Sequence, residues 1–356
     1  MSGGITQNTQ KSRDIWVLGE AKSSGELAST VFELTAKASE LAGQAAKHTG
    51  ETHAVKLLLI LDSAVSGVFI KPEQAGHYGA DKVIVVSGNG LPADRTASAR
   101  VLAHLAGQSR PAAIIASATA FGRSVMPYAA ALLKTGLTAD CTGLSIDPET
   151  GLLLQTRPAI GGNIMATIKT PGHVPQMATV RPRIFRIPAP ETDRLAEVET
   201  VHVPDEIMKR TVTTVGFKKF DERDWTLQER DVIVSGGKGL RRAEGFELIS
   251  KLANLLGGGA GASRPAVEMK WMSYPHQVGL SGQVVSPKVY IAAGISGAVQ
   301  HLAGMQTSGK IIAINRDPEA QIFNVSDVAI CGDLYDIIPM LIEKIKKIEQ
   351  RRGGPK

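Results

Sequence analysis

The sequence predicts an α/β protein built from two doubly wound, mostly parallel α/β domains. Three observations support this fold class. Apolar strand-like runs alternate with amphipathic helical stretches, first from Asp14 to Lys134 and again after Asp231, which is the pattern of a parallel sheet with helices on both faces. The 356 residues are long enough for two cores, and 43% of them are apolar. Glycine-rich turns follow several of the strand-like runs in the second part.

The first part of the chain alternates strands and helices in order. Helix-period apolar patterns lie between the first and second of these strand-like runs, between the third and fourth, and after the fourth. The predicted strands are 15–18, 55–61, 82–86 and 112–116, and the predicted helices are 26–47, 93–105 and 122–134.

Beyond Thr142 the pattern changes to short strands separated by Gly and Pro. We expect 152–155, 164–168 and 176–180 to form an antiparallel addition to the same sheet. Two further edge strands are predicted at 198–203 and 211–217 within a charged, Pro-containing stretch.

The second α/β unit begins at Asp231. Its predicted strands are 232–234, 289–293, 311–314 and 328–330, followed by a closing helix from about Ile337. The predicted organisation is a flexible N-terminus (1–13), an N-terminal α/β domain (14–205), an interdomain linker (206–230), a C-terminal domain (231–350) and a flexible tail (351–356).

Composition argues against several classes of protein. The formal charge of +6 permits a polyanionic partner, but much of the excess lies at the end of the chain, where cations suit a helix C-terminus. These residues are Lys344, Lys346, Lys347, Arg351, Arg352 and Lys356. Aromatic content of 4% argues against a stacking surface for single-stranded nucleic acid. We therefore expect no nucleic-acid partner.

The two cysteines, Cys141 and Cys331, form no C-x-x-C pair. This argues against a disulfide scaffold, a zinc ribbon or a cysteine-held iron–sulfur cluster, and we expect no metal site. The polar first dozen residues do not resemble a signal peptide, and no apolar run approaches ~18 residues. A reducing, cytoplasmic location is expected, with the mitochondrial matrix as the alternative.

Four polar turns follow the strands of the second unit, at 235–239, 294–297, 315–317 and 332–334. Because ligands of open α/β sheets bind beyond the carboxyl ends of the strands, these turns indicate a binding site. Ser-Gly-Gly-Lys-Gly is neither a P-loop nor a G-x-G-x-x-G motif, and alone it favours a tight turn with a surface lysine. Four such turns together favour a nucleotide.

The turn Gly294-Ile295-Ser296-Gly297 precedes a predicted helix at 298–302, with Ser296 as its N-cap. Amide groups at such a helix start favour a phosphate or an anionic ring. His301 lies about one turn into this helix, on the face of Gly297. A single histidine on an apolar helix is more often a packing residue, so its role depends on the surrounding run.

The run from Gln277 to Ala320 resembles the alpha subunit of electron transfer flavoproteins, and the resemblance extends through the C-terminal third and more loosely through the N-terminal half. It implies that the C-terminal domain is an FAD-binding fold. By this resemblance the FAD-binding residues are Lys238, Ser263, Arg264, Gln277, Val278, Gly279, Leu280, Ser281, Gly294, Ser296, Gly297, Ala298, Val299, Gln300, His301, Asn315, Asp333 and Leu334.

The resemblance also implies individual roles. Arg264 approaches the flavin ring, where a fixed positive charge stabilises the electron-rich reduced form. His301 contacts the pyrimidine end, where reduction builds negative charge. Asp333 suits a ribose diol and Asn315 the adenosine half. The alternatives are a surface charge for Arg264 and ordinary turn chemistry for Asn315 and Asp333.

Three positions depart from the family pattern. Ser281 replaces a threonine beside flavin N5, Leu280 a glutamine and Lys238 an arginine. Serine keeps the hydroxyl but not the χ1 restriction, and lysine keeps the charge but not the planar fork. An altered potential with retained FAD binding is therefore expected.

Two segments of the first domain, 135–144 and 155–166, also resemble alpha subunits. Their residue sequences are most similar to those of the electron-bifurcating branch. They either bear on a beta subunit and its flavin, with Arg157 as a candidate contact, or close the sheet; both interpretations stay open.

The resemblance implies an electron carrier, with one FAD in this subunit, in a heterodimer with a beta subunit that holds AMP or a second FAD. Redox partners of the acyl-CoA dehydrogenase type, as in fatty acid β-oxidation, would exchange electrons with it. No catalytic acid, base or nucleophile is required, because the cofactor carries the chemistry. The alternatives are a subunit of an NADH-dependent bifurcating complex that reduces ferredoxin and an enoyl-CoA-type acceptor, and, less favoured, an NAD-binding enzyme or sensor.

Overall fold

The computed structural model describes residues 13–22, 25–63, 71–91, 93–159, 164–213, 215 and 227–352. These residues form two compact units, 13–215 and 227–352. The flexible N-terminus expected at 1–13 lies outside the described residues except for Arg13, and so do 214 and 216–226 of the predicted linker. Of the predicted tail, Arg351 and Arg352 continue the last helix, and 353–356 lie outside.

The first unit contains ten strands. They are β1 (Ile15–Gly19), β2 (Val55–Asp62), β3 (Lys82–Gly88), β4 (Ala113–Ser117), β5 (Leu137–Cys141), β6 (Gly143–Ile146), β7 (Leu153–Pro158), β8 (Met165–Ile168), β9 (Gln176–Val180) and β10 (Glu197–Thr200). Seven of them make one sheet in the order β10-β3-β2-β1-β4-β9-β5, and every pairing in it is parallel. The parallel sheet predicted from the alternating pattern is therefore confirmed.

Helices cover both faces of this sheet. They are α1 (Ser29–Thr49), α2 (Arg95–Ser109), α3 (Ala120–Leu133) and the short α4 (Asp205–Met208). The side chains of β1 divide between the faces, since Val17 packs in the core that includes α1 and Trp16 in the core that includes α2 and α3. Asp94 and Thr119 cap α2 and α3 by accepting backbone N–H groups at 3.0 and 3.2 Å.

The antiparallel addition was predicted wrongly in two respects. Strands β6, β7 and β8 form a separate three-stranded antiparallel sheet. Residues 176–180 belong instead to the parallel sheet, between β4 and β5, and are buried along their whole length. A strand buried on both faces reads as a continuous run rather than as an alternation, which separates it from the hairpin strands beside it.

One predicted edge strand is present and the other is not. β10 pairs with β3 at the edge of the sheet. Of the strand expected at 211–217, residues 211–213 and 215 are not extended into a sheet, because the Asp94 carboxylate accepts the N–H groups of Thr211 and Val212 at 2.7 and 3.2 Å. Residues 214, 216 and 217 lie outside the described part of the chain.

The second unit is one parallel sheet with helices around it. Its strands are β11 (Val232–Gly236), β12 (Gly259–Ala262), β13 (Val289–Ala293), β14 (Lys310–Asn315) and β15 (Val328–Cys331), and its helices are α5 (Gly245–Leu255), α6 (Arg264–Glu268), α7 (Val299–Leu302) and α8 (Leu334–Arg352). The strand order is β12-β11-β13-β14-β15, with every pairing parallel. Four of these strands were predicted, and β12 was not.

The closing helix, predicted from about Ile337, begins at Leu334. It packs with α5 in a core on one face of the sheet, and the second core lies around Tyr290 and Met305. No helix within the described ranges is long and apolar enough to cross a bilayer.

Candidate functional site

A cavity of about 660 Å³ lies at the carboxyl edge of the five-stranded sheet. Its lining includes residues at or just beyond the ends of four strands: Lys238 two residues after β11, Ser263 directly after β12, Gly294 directly after β13, and Asn315 at the end of β14. The volume falls within the range of roughly 300–1,000 Å³ typical of sites for small molecules and cofactors. The location agrees with the general position of ligands in open α/β sheets.

Most of the predicted site residues line this cavity. They are Lys238, Ser263, Arg264, Val278, Gly279, Leu280, Ser281, Gly294, Ser296, Ala298, Gln300, His301 and Asn315. The lining does not include Gln277, Gly297, Val299, Asp333 or Leu334. It also includes six residues that were not among the predicted cofactor-binding residues. Gly239, Ile295 and Asp317 belong to the polar turns predicted to form a site, whereas Pro265, Glu268 and Ala320 were not singled out.

The close approach of two turns forms one wall of the cavity. The Gly237 N–H donates to the Ala293 carbonyl and the Gly239 N–H to the Gly294 carbonyl, both at 2.9 Å. A Cβ at Gly237 would lie 2.3 Å from the Gly294 oxygen, and Gly294 itself has φ of +64°. Glycine is therefore required here by space and by backbone conformation. We call the surface formed by the turns at Gly237–Gly239 and Gly294 the glycine wall.

Gly297 lies behind the lining, at the end of the turn that begins with Gly294. It has φ of +88°, and a Cβ there would lie 2.2 Å from the Ile322 nitrogen. The neighbouring Ser296 carbonyl accepts the N–H of Ile322 at 3.0 Å. Gly297 therefore lies outside the lining but fixes the path of the backbone that forms it.

The prediction that Ser296 caps the following helix is wrong. Helix α7 has Ala298 as its N-cap and no side-chain cap. The left-handed conformation of Gly297 turns the chain between Ser296 and the helix, and Ser296 lies two residues before the N-cap position, so it does not cap the helix. Ser296 still lines the cavity with an exposed side chain.

Ser263 and Arg264 enter the cavity from the end of β12. Ser263 is buried, and its Oγ has no hydrogen-bond partner among the described residues. Arg264 is exposed, and its Nε donates to Glu268 Oε1 at 2.7 Å. Glu268 also lines the cavity, so the guanidinium expected near the ring has a carboxylate beside it. The i,i+4 spacing of the two residues was the signal that the sequence offered for this pair.

The segment from Gln277 to Ser281 is tied to α7. The Leu280 N–H donates to the Gln300 carbonyl at 2.7 Å, and Gly279 has φ of +144°. Gln277 is buried, and its Nε2 donates to Ser281 Oγ at 3.1 Å. Gln277 thus supports the Ser281 hydroxyl from behind, outside the lining itself.

His301 lines the cavity from α7 and is 7% exposed. Its Nε2 lies 3.0 Å from the Tyr290 hydroxyl, and its Nδ1 has no partner among the described residues. Burial lowers the pKa of His301 to about 4, against a smaller raising effect of the Val278 carbonyl. The imidazole is therefore neutral near pH 7 and offers one N–H donor.

Asn315 and Asp333 both make the hydrogen bonds of ordinary turns. Asn315 Nδ2 donates to the Ile295 carbonyl, and its Oδ1 accepts the Asp317 N–H. Asp333 Oδ1 accepts the Tyr335 N–H at the start of α8. The alternative of turn chemistry is thus present in both residues, although Asn315 also lines the cavity.

Leu334 belongs to the core beside α8. It is 3% exposed and packs among the buried side chains there. Its methyl groups also lie beside Gly294, since a Cβ on that glycine would be 3.0 Å from Leu334 Cδ2. Leu334 therefore packs against the glycine wall at Gly294, outside the cavity lining.

The donors of the cavity suit a polar, partly anionic ligand. Ser263 Oγ and His301 Nδ1 are buried without partners, and leaving such a group unpaired costs roughly 1–3 kcal/mol. A ligand that accepts hydrogen bonds from both would remove this cost. Lys238 and Arg264 supply positive charge, and Glu268 and Asp317 oppose it.

Models of two family domains match the chain. The model of the electron transfer flavoprotein domain matches residues 15–206, and the model of the electron transfer flavoprotein FAD-binding domain matches residues 226–306. The second match covers β11 to β13 and most of the cavity lining.

Curated relatives match over nearly the whole chain. The electron transfer flavoprotein subunit alpha of Thermoanaerobacterium thermosaccharolyticum is 42% identical over 95% of this chain and 99% of its own length. The acryloyl-CoA reductase electron transfer subunit beta of Anaerotignum propionicum is 39% identical over 94% of this chain and 96% of its own length. The lactate dehydrogenase (NAD(+),ferredoxin) subunit LctC of Acetobacterium woodii is 37% identical over 92% of this chain and 76% of its own length.

Proposed function

The chain belongs to the electron transfer flavoprotein family as an alpha subunit, an FAD-binding electron carrier, and on this premise we propose that the cavity at the carboxyl edge of the second sheet holds the FAD. The observation that carries this proposal is the pair of buried, unpartnered donors, Ser263 Oγ and His301 Nδ1, in one cavity with the glycine wall. The carboxyl edge of such a sheet is the usual place for a dinucleotide.

The residues of the chain bind and polarise the cofactor in this proposal. FAD supplies the electron-transfer chemistry when it is bound. Ser263 and the glycine turns hold it through short polar groups and backbone approach, and Ser281 offers a hydroxyl that Gln277 orients. His301 offers a neutral N–H donor where negative charge develops, and Arg264 adds a positive charge that Glu268 partly offsets.

The family implies a beta subunit as partner, and we propose a heterodimer in which that subunit holds AMP. Acyl-CoA dehydrogenase-type proteins are the proposed redox partners, and the bacterial relatives support a cytoplasmic location. Co-expression with the cognate beta subunit tests the proposal. A yellow heterodimer with about one FAD supports it, and a colourless heterodimer that takes up no FAD contradicts it.

A second candidate function is a subunit of an NADH-dependent bifurcating complex. The relative from Acetobacterium woodii is named for NAD(+) and ferredoxin, and the relative from Anaerotignum propionicum for acryloyl-CoA reductase. In this case the beta subunit carries a second FAD in place of AMP. A flavin content near two per heterodimer, with NADH-dependent reduction of ferredoxin, favours this candidate, and a content near one removes it. The matched FAD-binding model leaves the NAD-binding alternative without support.

A further inference from the structure

A buried amide lies behind the Ser281 hydroxyl of the cavity. Gln277 is 4% exposed and does not line the cavity, whereas Ser281 is exposed and lines it. Gln277 Nε2 donates to Ser281 Oγ at 3.1 Å. Within the described ranges, this is the one hydrogen bond that either side chain makes.

We propose that Gln277 is a positioning residue that fixes the Ser281 side chain in one rotamer and leaves its hydroxyl proton for an acceptor atom of the bound flavin. This inference rests on the proposed FAD site and deepens it. In it, Gln277 acts on the ligand only through Ser281.

The backbone around Gln277 holds the amide in place. The Gln277 N–H donates to the Tyr274 carbonyl at 2.9 Å, and the Gln277 carbonyl accepts the Gln283 N–H at 2.6 Å. A Cβ at Gly282 would lie 2.3 Å from the Gln277 carbonyl oxygen and 2.9 Å from its Cγ, so Gly282 packs directly against this side chain. These contacts keep the amide beside Ser281.

A second contact holds the backbone of the serine. The Tyr274 hydroxyl donates to the Ser281 carbonyl at 2.9 Å. Tyr274 thus holds one end of the residue, and Gln277 holds the other end at Oγ. A serine side chain otherwise divides among three staggered rotamers, because it lacks the β-branch that restricts threonine. The amide therefore supplies a restriction that the serine itself does not have.

The direction of this hydrogen bond decides where the serine proton points. A hydroxyl has one proton and two lone pairs, whereas an amide nitrogen only donates. Because Nε2 uses a lone pair of Oγ, the Ser281 proton is left over, and it has no acceptor in the described part of the chain. Ser281 lines the cavity, so a ligand acceptor there completes the chain of hydrogen bonds. A hydroxyl that accepts one hydrogen bond also donates a stronger one.

FAD binding by a Gln277→Met heterodimer tests the inference, because methionine keeps the length of the side chain and removes the donor. We expect the dissociation constant, measured by flavin fluorescence, to rise about fivefold, since a hydrogen bond to the ligand loses its preorganisation. Gln283→Met is the matched control, because it makes the same exchange in the same loop, where the Gln283 side chain has no hydrogen bond to the described residues. The control should stay within about twofold of the native value.

A double-mutant cycle separates positioning from packing. In a Ser281→Ala background, Gln277→Met should have no further effect, because there is no hydroxyl to hold. In a Ser281→Thr background, the effect of Gln277→Met should fall below about twofold, because the β-branched threonine restricts χ1 by itself. An equal loss of affinity in the serine, alanine and threonine backgrounds overturns the inference, since the amide then acts through packing alone.

The outcomes separate this inference from the proposed function. A native heterodimer that binds no FAD refutes the proposed function. A native heterodimer that binds FAD, with unchanged or tighter binding in Gln277→Met, refutes only the role of Gln277; tighter binding means that the amide oxygen accepts the serine proton instead. If Gln277→Met does not fold, Gln277→Asn takes its place with the same expected loss, because asparagine keeps the amide but is shorter by a methylene and does not reach Oγ.

Discussion

Acidification should destabilise the second unit of the flavin-free protein through His301. Burial holds the pKa of this imidazole at about 4, below its usual value of 6.5. As the pH falls, the unfolded chain takes up the proton first. The contribution of His301 to stability is therefore fully present above its pKa in the unfolded chain, and it is lost as the pH falls toward its pKa in the folded protein. By linkage, the free energy of unfolding falls by about 2 kcal/mol between about pH 8 and about pH 5. The decrease reaches about 3 kcal/mol when the pH is below both pKa values.

Comparison with His301→Gln isolates this term from the carboxyl groups that titrate in the same range. Urea unfolding at each pH, read by pulse-labelling hydrogen exchange in peptides from β13 and β14, reports the second unit. Peptides from β1 and β2, in the first unit, are the internal control and should respond alike in both proteins. An equal loss of stability on acidification in the variant would refute the assignment of the pH dependence to His301.

Two substitutions test the cavity wall and the charge beside the ring. Gly297→Ala should lower the free energy of unfolding by about 2–3 kcal/mol more than Gly257→Ala. Both glycines have positive φ, but a Cβ at Gly297 would lie against Ile322, whereas nothing lies within 4 Å of a Cβ at Gly257. Urea unfolding measures the difference, and equal costs would contradict the packing argument. Glu268→Gln should raise the reduction potential of the flavin, because Arg264 then has no carboxylate beside it. The rise should be small because the Arg264–Glu268 pair is exposed. Potentiometry measures the shift, and a lower potential would contradict the expected effect of the Arg264 charge.

Much of the fold followed from the sequence because long apolar runs and their alternation carry most of the signal. The strands that were missed are those with weak local signals. β12 is Gly259-Ala260-Gly261-Ala262 and has no β-branched residue. Its place is set by close packing, since a Cβ at Gly261 would lie 3.0 Å from Ser235 Oγ. Residues 176–180 were assigned to the wrong sheet because pairing partners are set by long-range contacts, which a local pattern does not contain.

The site shows the same limit. The turns at the sheet edge were visible as strand–glycine junctions, and most of the residues found by resemblance line one cavity. The cap at Ser296 failed because the positive φ of Gly297 is a tertiary constraint imposed by Ile322. The bond between Tyr290 and His301 joins separate elements and has no local pattern to reveal it. Packing determines these features, so they required the structure.

The most direct test of the whole account is the flavin content of the heterodimer when the cavity loses its donors. The variant combines Ser263→Ala, Arg264→Ala and His301→Ala, and the beta subunit is left unchanged. Our account predicts a heterodimer that assembles with one FAD fewer than the native protein, because three polar contacts of about 1–2 kcal/mol each are lost. A variant that retains the native amount of FAD, with an unchanged spectrum, would contradict the placement of the flavin in this cavity.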